Sequence, residues 1–493
     1  MTWKAKIGTA MLAILALLAL VPACGGGGGG GSSASASGTP AWTFLVYIAG
    51  DNNLSPAAVA DINEMEMVGS TTKVNVVVQA ELSGLYSPDQ PAYLTDTTLR
   101  GKIVWDGNWY NIGSPLFSIG NQDMAAPETL RDFIAWAVAN YPAQHYALTL
   151  WSHGSGWKAD PSTGGVVKGV LDDDSSGGVM SIPELARAIA DSGVHFDVVN
   201  FDACLMAMYE VAYELSGLAG FLVFSEESEP GTGDPYDDIL AALTNDPGMD
   251  GRALGRVITD SYYAYYLSRG RYEGLMSAVD MNGMDALDEK IRALCHALSD
   301  NMATDRPFVQ AARDASTHYD YQENHDLGDF LDKLLANPGL SPESAARAGE
   351  VKAALASFVY ANRIYCPVPA DDRWRSQGLA VFLPRRDQVT DQTLALYSSL
   401  AVNQEKVVGP DSWYFLVNLL VNGDQGGPLA TTEGNFLIWV SWDTDADVDL
   451  VVWEPNGGIA APYLGASSQY GFLSADSAVS GESVEYYAAA DMV

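Results

Sequence analysis

Two apolar runs in this chain each end in a residue able to do acyl-transfer chemistry. One, Phe196-Asp197-Val198-Val199-Asn200-Phe201-Asp202-Ala203-Cys204, delivers a thiol, and the other, Tyr146-Ala147-Leu148-Thr149-Leu150-Trp151-Ser152-His153-Gly154, delivers an imidazole. His153 and Cys204 lie 51 positions apart. A thiol near its free pKa of about 8.5 is mostly protonated at neutral pH, so a cysteine nucleophile needs a base beside it. Histidine, with an unperturbed pKa of about 6.5, serves as that base and then as the acid that protonates the leaving amine. A buried strand-end cysteine and a core histidine would be the unremarkable reading of either residue alone. The matching position of both at the ends of apolar runs favours the catalytic pair.

The elements needed to hold such a pair follow from the surrounding pattern. From Trp42 to about Asp238, short β runs alternate with amphipathic segments, which predicts an α/β fold with a mainly parallel sheet covered by helices. Strands are expected at 43–48, 74–80, 102–105, 146–151, 196–201 and 221–224. Helices are expected at 127–140 and 181–191, the second opened by the capping-box spacing Ser181-Ile182-Pro183-Glu184. A further helix at 206–215, starting just after Cys204, would aim its positive end at the thiolate. Open α/β sheets keep their chemistry at the C-terminal edge of the strands, where both candidate residues fall. Residues 251–420 read as a helix-rich continuation of this unit, with Cys295 on a buried helical stripe and Cys366 in a loop without a role. Beyond residue 428 the pattern turns to β alone, and residues 429–493 read as a small, incomplete β-sandwich-like module.

Four segments taken in order resemble the clostripain family of cysteine peptidases, whose fold is the caspase-like α/β sandwich. They are Tyr47-Ile48-Ala49-Gly50-Asp51-Asn52-Asn53-Leu54, Trp151-Ser152-His153-Gly154-Ser155-Gly156-Trp157, Leu171-Asp172-Asp173-Asp174-Ser175 and Asn200-Phe201-Asp202-Ala203-Cys204-Leu205-Met206. The resemblance implies a peptidase domain over residues 41–421 with Cys204 as nucleophile and His153 as general base and acid. By analogy with the caspase fold, the amides of Gly154 and Cys204 would form the oxyanion hole. It further implies that Asp202, two positions before the cysteine, lines the primary specificity pocket, so that substrates would carry Arg or Lys before the scissile bond. A second acid from the loop at 225–238 is expected to join it, Asp234 in preference to Asp237. A helix-capping role for Asp202 is the structural alternative. The chemistry requires no cofactor. Calcium, which some members of the family need, would have Asp172, Asp173 and Asp174 as candidate ligands, although three successive acids equally suit a capped turn. Self-cleavage after Lys168, in a Gly-rich stretch between the two candidate catalytic residues, is the expected processing event.

The N-terminus carries Lys4 and Lys6, an apolar stretch and Val21-Pro22-Ala23-Cys24, the layout of a secretory signal. It resembles a bacterial lipoprotein signal over residues 1–23, with Cys24 as the lipidated residue. A Gly/Ser-rich tether at 24–40 would then hold the protein off a bacterial membrane, the outer membrane or cell surface being expected. The formal net charge of −36, from 26 basic and 62 acidic residues, argues against nucleic acid as a partner and for cationic protein or peptide substrates. Three rivals are weighed against the peptidase. A serine hydrolase using Ser155 lacks the G-x-S-x-G elbow, and a zinc enzyme lacks H-E-x-x-H and C-x-x-C spacings. A catalytically inactive surface binding module or adhesin is the alternative that would leave His153 and Cys204 without purpose.

Overall fold

The computed structural model describes residues 38–158, 169–270, 272–404 and 412–423, together with the backbone of five short strands in the C-terminal segment. The chain builds β1 (Trp42–Gly50), α1 (Ser55–Val68), β2 (Val74–Leu82), β3 (Thr98–Lys102), β4 (Phe117–Ser118) and α2 (Pro127–Asn140). It continues with β5 (His145–Trp151), the hairpin of β6 (Val170–Asp173) and β7 (Gly178–Met180), α3 (Ile182–Asp191), β8 (Phe196–Asp202), α4 (Tyr209–Glu214) and β9 (Ala219–Phe224). Then come α5 (Tyr236–Asn245), α6 (Gly251–Arg269), β10 (Gly274–Asp280), α7 (Met284–Asp300), α8 (Met302–Ala315), β11 (Asn324–Asp326), α9 (Leu327–Leu335) and α10 (Pro342–Phe358). After β12 (Val359–Tyr365) and β13 (Ala380–Phe382) the described helices close with α11 (Asp391–Ser398), α12 (Ala401–Gln404) and α13 (Trp413–Gly423).

Nine strands form one sheet in the order β12-β10-β9-β8-β5-β1-β2-β3-β4. Its centre, β9-β8-β5-β1-β2, is parallel, and an antiparallel pair is added at each edge. Strands buried on both faces read as continuous apolar runs, and β1 is buried at all nine positions. Alternation along β1 sends Leu45, Tyr47 and Ala49 to the face covered by α2 and α3, through Phe133, Ile134, Leu185 and Ile189. Phe44, Val46 and Ile48 go to the opposite face, covered by α1, α5 and α6 through Ile62, Met65, Ile239 and Ile258. The capping box at α3 is present in both directions, Ser181 accepting from the Glu184 amide while Glu184 accepts from the Ser181 amide. Because β10 and β12 join the same sheet, residues 251–365 complete it.

Two expectations are corrected. The strand expected at 102–105 lies at Thr98–Lys102, where pairing runs from Glu81↔Thr98 to Val77↔Lys102, and the apolar Trp105 that suggested the later register is exposed. No helix starts just after Cys204: Leu205 takes a left-handed backbone at φ 65°, and the chain stays non-helical until Tyr209. Within that stretch, the Ala207 amide donates to the Ser225 carbonyl at 2.8 Å while its own carbonyl accepts from the Ala380 amide at 2.8 Å. These are tertiary hydrogen bonds that a helix at 206–208 would forfeit.

In the C-terminal segment, β14 (Phe436–Trp442), β17 (Gly471–Leu473) and β18 (Ser483–Ala489) form a three-stranded antiparallel sheet, and β15 (Val452–Trp453) pairs with β16 (Ile459–Ala460). Among the described residues no helix is long and apolar enough to cross a membrane.

Candidate active site

Four neighbouring parallel strands, in the order β9-β8-β5-β1, release their chains at one edge of the sheet. The segments that leave them carry, in the same order, Glu229, Cys204, His153 and Asn53. Trp151 pairs with Asp202 at the last rung of β5 and β8, so His153 and Cys204 each sit two residues beyond the same rung. The following Gly154 makes their closeness concrete. A Cβ added there would lie 2.4 Å from the Cys204 carbonyl oxygen and 2.9 Å from its amide nitrogen, so only glycine lets the two segments touch.

Cys204 is half-buried, and the left-handed Leu205 turns the chain away directly behind it. The Glu229 amide donates to Sγ at 3.2 Å. Burial pushes the thiol pKa up, and this amide pulls it partly back. Burial also lowers the His153 pKa, with Asp174 opposing it. The resting pair is therefore a neutral thiol and a neutral imidazole. The His153 ring is held by Asn53, whose Oδ1 lies 2.7 Å from Nε2. An amide oxygen only accepts, so Nε2 carries the ring proton and Nδ1 keeps the lone pair. Below the ring, Ser152 Oγ donates to the Ala49 carbonyl at 2.9 Å, and Asn52 Nδ2 donates to the Ala49 and Asp172 carbonyls, both at 3.0 Å. This network ties the ends of β1, β5 and β6 together and fixes the platform on which the imidazole stands.

Beside the thiol lies a group of buried acids. Asp202 is 5% exposed, and its Oδ2 accepts from the Tyr236 hydroxyl at 2.7 Å and the Asp234 amide at 3.2 Å. Asp234 is fully buried, with Oδ2 accepting from Asn200 Nδ2 at 2.7 Å. Burial pushes the Asp202 carboxyl up to about 6, the tyrosine hydroxyl and the amide limiting the rise. Asp234 is held well above the usual carboxylate range by burial and then by the charge of Asp202. Gly233 passes over Asp202 at φ 53°, where an added Cβ would meet Oδ1 at 2.6 Å. Among the described residues no ion pair involves Asp202 or Asp234. Asp202 is thus not a helix cap, since α4 begins only at Tyr209.

The remaining expected residues fall elsewhere. Asp173 is buried and already engaged, its carboxylate accepting from the Met124 amide at 2.8 Å, the Ser176 amide at 3.0 Å and the Ser175 hydroxyl at 3.1 Å. Asp172 lies on β6 with its carboxyl pushed up to about 6 by burial, and Asp174 is exposed. Among the described residues no group of three or more His, Cys, Asp or Glu converges as a metal site. Ser155 is buried and donates to the Lys158 and Gly169 carbonyls, both at 3.1 Å, which spends the hydroxyl a serine hydrolase would need. Lys168 and Cys24 lie outside the described residues.

Sequence reasoning gave no role to Asn53, Tyr236 or Glu229. Asn53 stood inside a quoted motif, but its partner is set by the crossing from β1 to β5. Glu229 lies in the loop after β9 and Tyr236 opens α5, and the fold brings both beside Asp202.

The sequence model of the clostripain family matches residues 46–343. Clostripain from Hathewaya histolytica is 23% identical over 403 residues, covering 70% of this chain and 75% of clostripain. Among solved structures, the chain resembles a secreted C11 cysteine protease from Bacteroides thetaiotaomicron in complex with an irreversible peptide inhibitor (TM-score 0.54, 22% identity, covering 73% of this chain and 97% of that one). An inactive zymogen C11 protease from Parabacteroides distasonis gives a TM-score of 0.55 at 23% identity, covering 74% and 97%. These likenesses agree with the α/β architecture built above.

Proposed function

The chain belongs to the clostripain family and is a cysteine endopeptidase, and from that premise we propose that it cleaves after Arg or Lys through Cys204 and His153. The observation that carries the reading is the contact of the two strand-end segments, in which Gly154 fits against Cys204 only because it lacks a side chain. In the first step His153 Nδ1 takes the thiol proton as Sγ attacks the scissile carbonyl carbon. The oxyanion that forms accepts hydrogen bonds from the Cys204 and Gly154 amides. Collapse breaks the C–N bond, and the amine leaves with the proton held on His153, giving a thioester. Water then attacks the thioester while His153 takes its proton. The acid product departs and the proton returns to Sγ.

Asp202 and Asp234 supply the specificity. They are buried, close together and without a cationic partner among the described residues, a state costly in isolation and relieved by a substrate cation. The test is hydrolysis of fluorogenic peptides with Arg, Lys, Asp or Leu before the scissile bond by the wild type, Cys204→Ala and Asp202→Ala. Cleavage after Arg or Lys that vanishes in Cys204→Ala and weakens in Asp202→Ala supports the reading. Equal cleavage of all four peptides refutes it.

Two further parts of the reading rest on sequence alone. Cys24 carries a lipid that tethers the protein to a bacterial membrane, checked by mass spectrometry of the mature N-terminus. Lys168-Gly169 is cut by the enzyme itself. A new Gly169 terminus in the wild type that is missing from Cys204→Ala is the expected result, and its absence from both would remove the idea.

A further inference from the structure

The edge of the sheet opposite the catalytic residues carries a loop that the mechanism does not use. The parallel strands β1 and β2 start at that edge, with Trp42 paired to Val74, whereas His153 and Cys204 follow the far ends of β5 and β8. The 9 residues of β1, at about 3.3 Å each, place the two edges roughly 25–30 Å apart. Between β3 and β4, Val104, Trp105, Trp109 and Tyr110 turn apolar surface to solvent, the last three being 68%, 50% and 82% exposed. Bare apolar clusters of this kind mark surfaces that meet a partner.

The loop is held in this shape from below. Glu66, buried in the last turn of α1, accepts from the Ser114 amide at 2.6 Å and the Gly113 amide at 3.1 Å, and its carbonyl accepts from the Asp106 amide at 2.8 Å. The Val104 amide donates to Ser114 Oγ at 3.0 Å. Asp106 Oδ1 accepts from the Asn108 amide at 3.1 Å, and Asn108 Oδ1 from the Tyr110 amide at 3.0 Å. Both carboxylates at the base of the loop are thus turned onto backbone amides, while the rings face outward.

The same edge receives the segment that precedes the fold. The Lys73 carbonyl accepts from the Ala41 and Trp42 amides at 2.8 and 3.2 Å, and Ser70 of the same turn donates its amide to the Ile103 carbonyl at 3.0 Å. Gly69 lies against the loop itself, an added Cβ there falling 2.2 Å from the Trp105 nitrogen. The Gly/Ser-rich tether at 24–40 therefore joins the fold one turn away from the aromatic loop. Trp and Tyr suit the boundary of a lipid bilayer, where an apolar body and a polar tip are both satisfied. Such contacts also suit a chain of net charge −36, which gains little from anionic lipid headgroups. We propose that Val104, Trp105, Trp109 and Tyr110 form a docking face for the phospholipid bilayer, which seats the protein with its catalytic edge turned away from the membrane. The inference rests on the lipid at Cys24 proposed above. Once the chain is tethered the contact is intramolecular, so a weak aromatic partition suffices.

The experiment reconstitutes the full-length lipidated protein in phosphatidylcholine vesicles made with and without bromine on the acyl chains, which quenches tryptophan on contact. Residues 24–41 contain no tryptophan, so quenching reports on the folded part of the chain and not on the tether. Bromination is expected to lower wild-type emission by about a tenth or more, and Trp105→Ser combined with Trp109→Ser to remove at least half of that drop. The double variant should melt within a few degrees of the wild type, because both side chains are exposed. Should it not fold, Trp105→Phe with Trp109→Phe, which keeps aromatic rings and removes the fluorophores, carries the same expected loss. No quenching of the wild type, or an equal drop in wild type and variant, overturns the docking face and leaves the lipid anchor standing. A mature N-terminus without lipid, read by mass spectrometry of the same sample, overturns the tether and this inference together and leaves the peptidase reading untouched.

Discussion

The Asn53 side-chain oxygen lies 2.7 Å from His153 Nε2, joining the end of β1 to the end of β5. That hydrogen bond fixes which ring nitrogen holds the proton and leaves the other to act as base. Replacing Asn53 by Ala removes the restraint without touching substrate, and kcat should fall roughly tenfold to a hundredfold with little change in KM. Asn53→Asp provides the sharper readout. A carboxylate beside the ring favours the imidazolium, so the His153 pKa rises and the acid limb of the kcat profile moves to higher pH. A pH–rate series on both variants checks this, and an unshifted profile in Asn53→Asp rules out the positioning role.

Acid acts on the pocket and on the base at different places. In the free enzyme the Asp202 carboxyl sits at about 6, raised by burial, so lowering pH through 6 protonates it and removes the charge that holds a basic side chain. His153 is depressed below its ordinary value by burial, so the base stays competent as pH falls past the usual imidazole range. KM for an Arg peptide should therefore climb as pH falls through about 6. A KM that stays flat through that range would contradict this.

Gly154→Ala places a methyl group 2.4 Å from the Cys204 carbonyl oxygen. Backbone cannot yield cheaply at a strand end, so the two segments must part, and kcat should drop by about 100-fold or more. Slower alkylation of Cys204 by iodoacetamide, measured on the same protein, would confirm that the site was displaced. Near wild-type values of both would show that the contact is unimportant.

Asp173 is read as the cap of a turn that binds the β6–β7 hairpin to the Met124 segment. Asp173→Asn converts an acceptor into a donor on one side and should cost about 1–3 kcal/mol in thermal or denaturant unfolding. Chelation by EDTA should leave the wild-type stability and activity unchanged. Loss of either on chelation, restored by calcium, would identify the acids at 172–174 as a metal site.

The parallel strands and the two strand-end residues were legible because buried strands leave uninterrupted apolar runs and the chemistry sits where they stop. The capping box of α3 was legible because all its atoms lie within four residues. What failed to show depends on distant partners. Residues 206–208 read as helical, yet they bond to Ser225 and Ala380, which no local pattern reveals. The β3 register was drawn toward Ile103-Val104-Trp105 by hydrophobicity, although Trp105 is 68% exposed. Asn53 and Glu229 are polar loop residues whose neighbours are chosen by the order of strands in the sheet.

The central prediction is that Cys204 is the nucleophile, with the scissile carbonyl presented to it by a basic substrate side chain seated beside Asp202. Peptide mapping by mass spectrometry after treatment with an arginyl chloromethyl ketone tests it. The prediction is a single adduct on Cys204, formed much more slowly in Asp202→Ala and when the leucyl reagent is used instead. An adduct on Cys295, Cys366 or a serine, or hydrolysis of an Arg peptide that persists in Cys204→Ala, would contradict it.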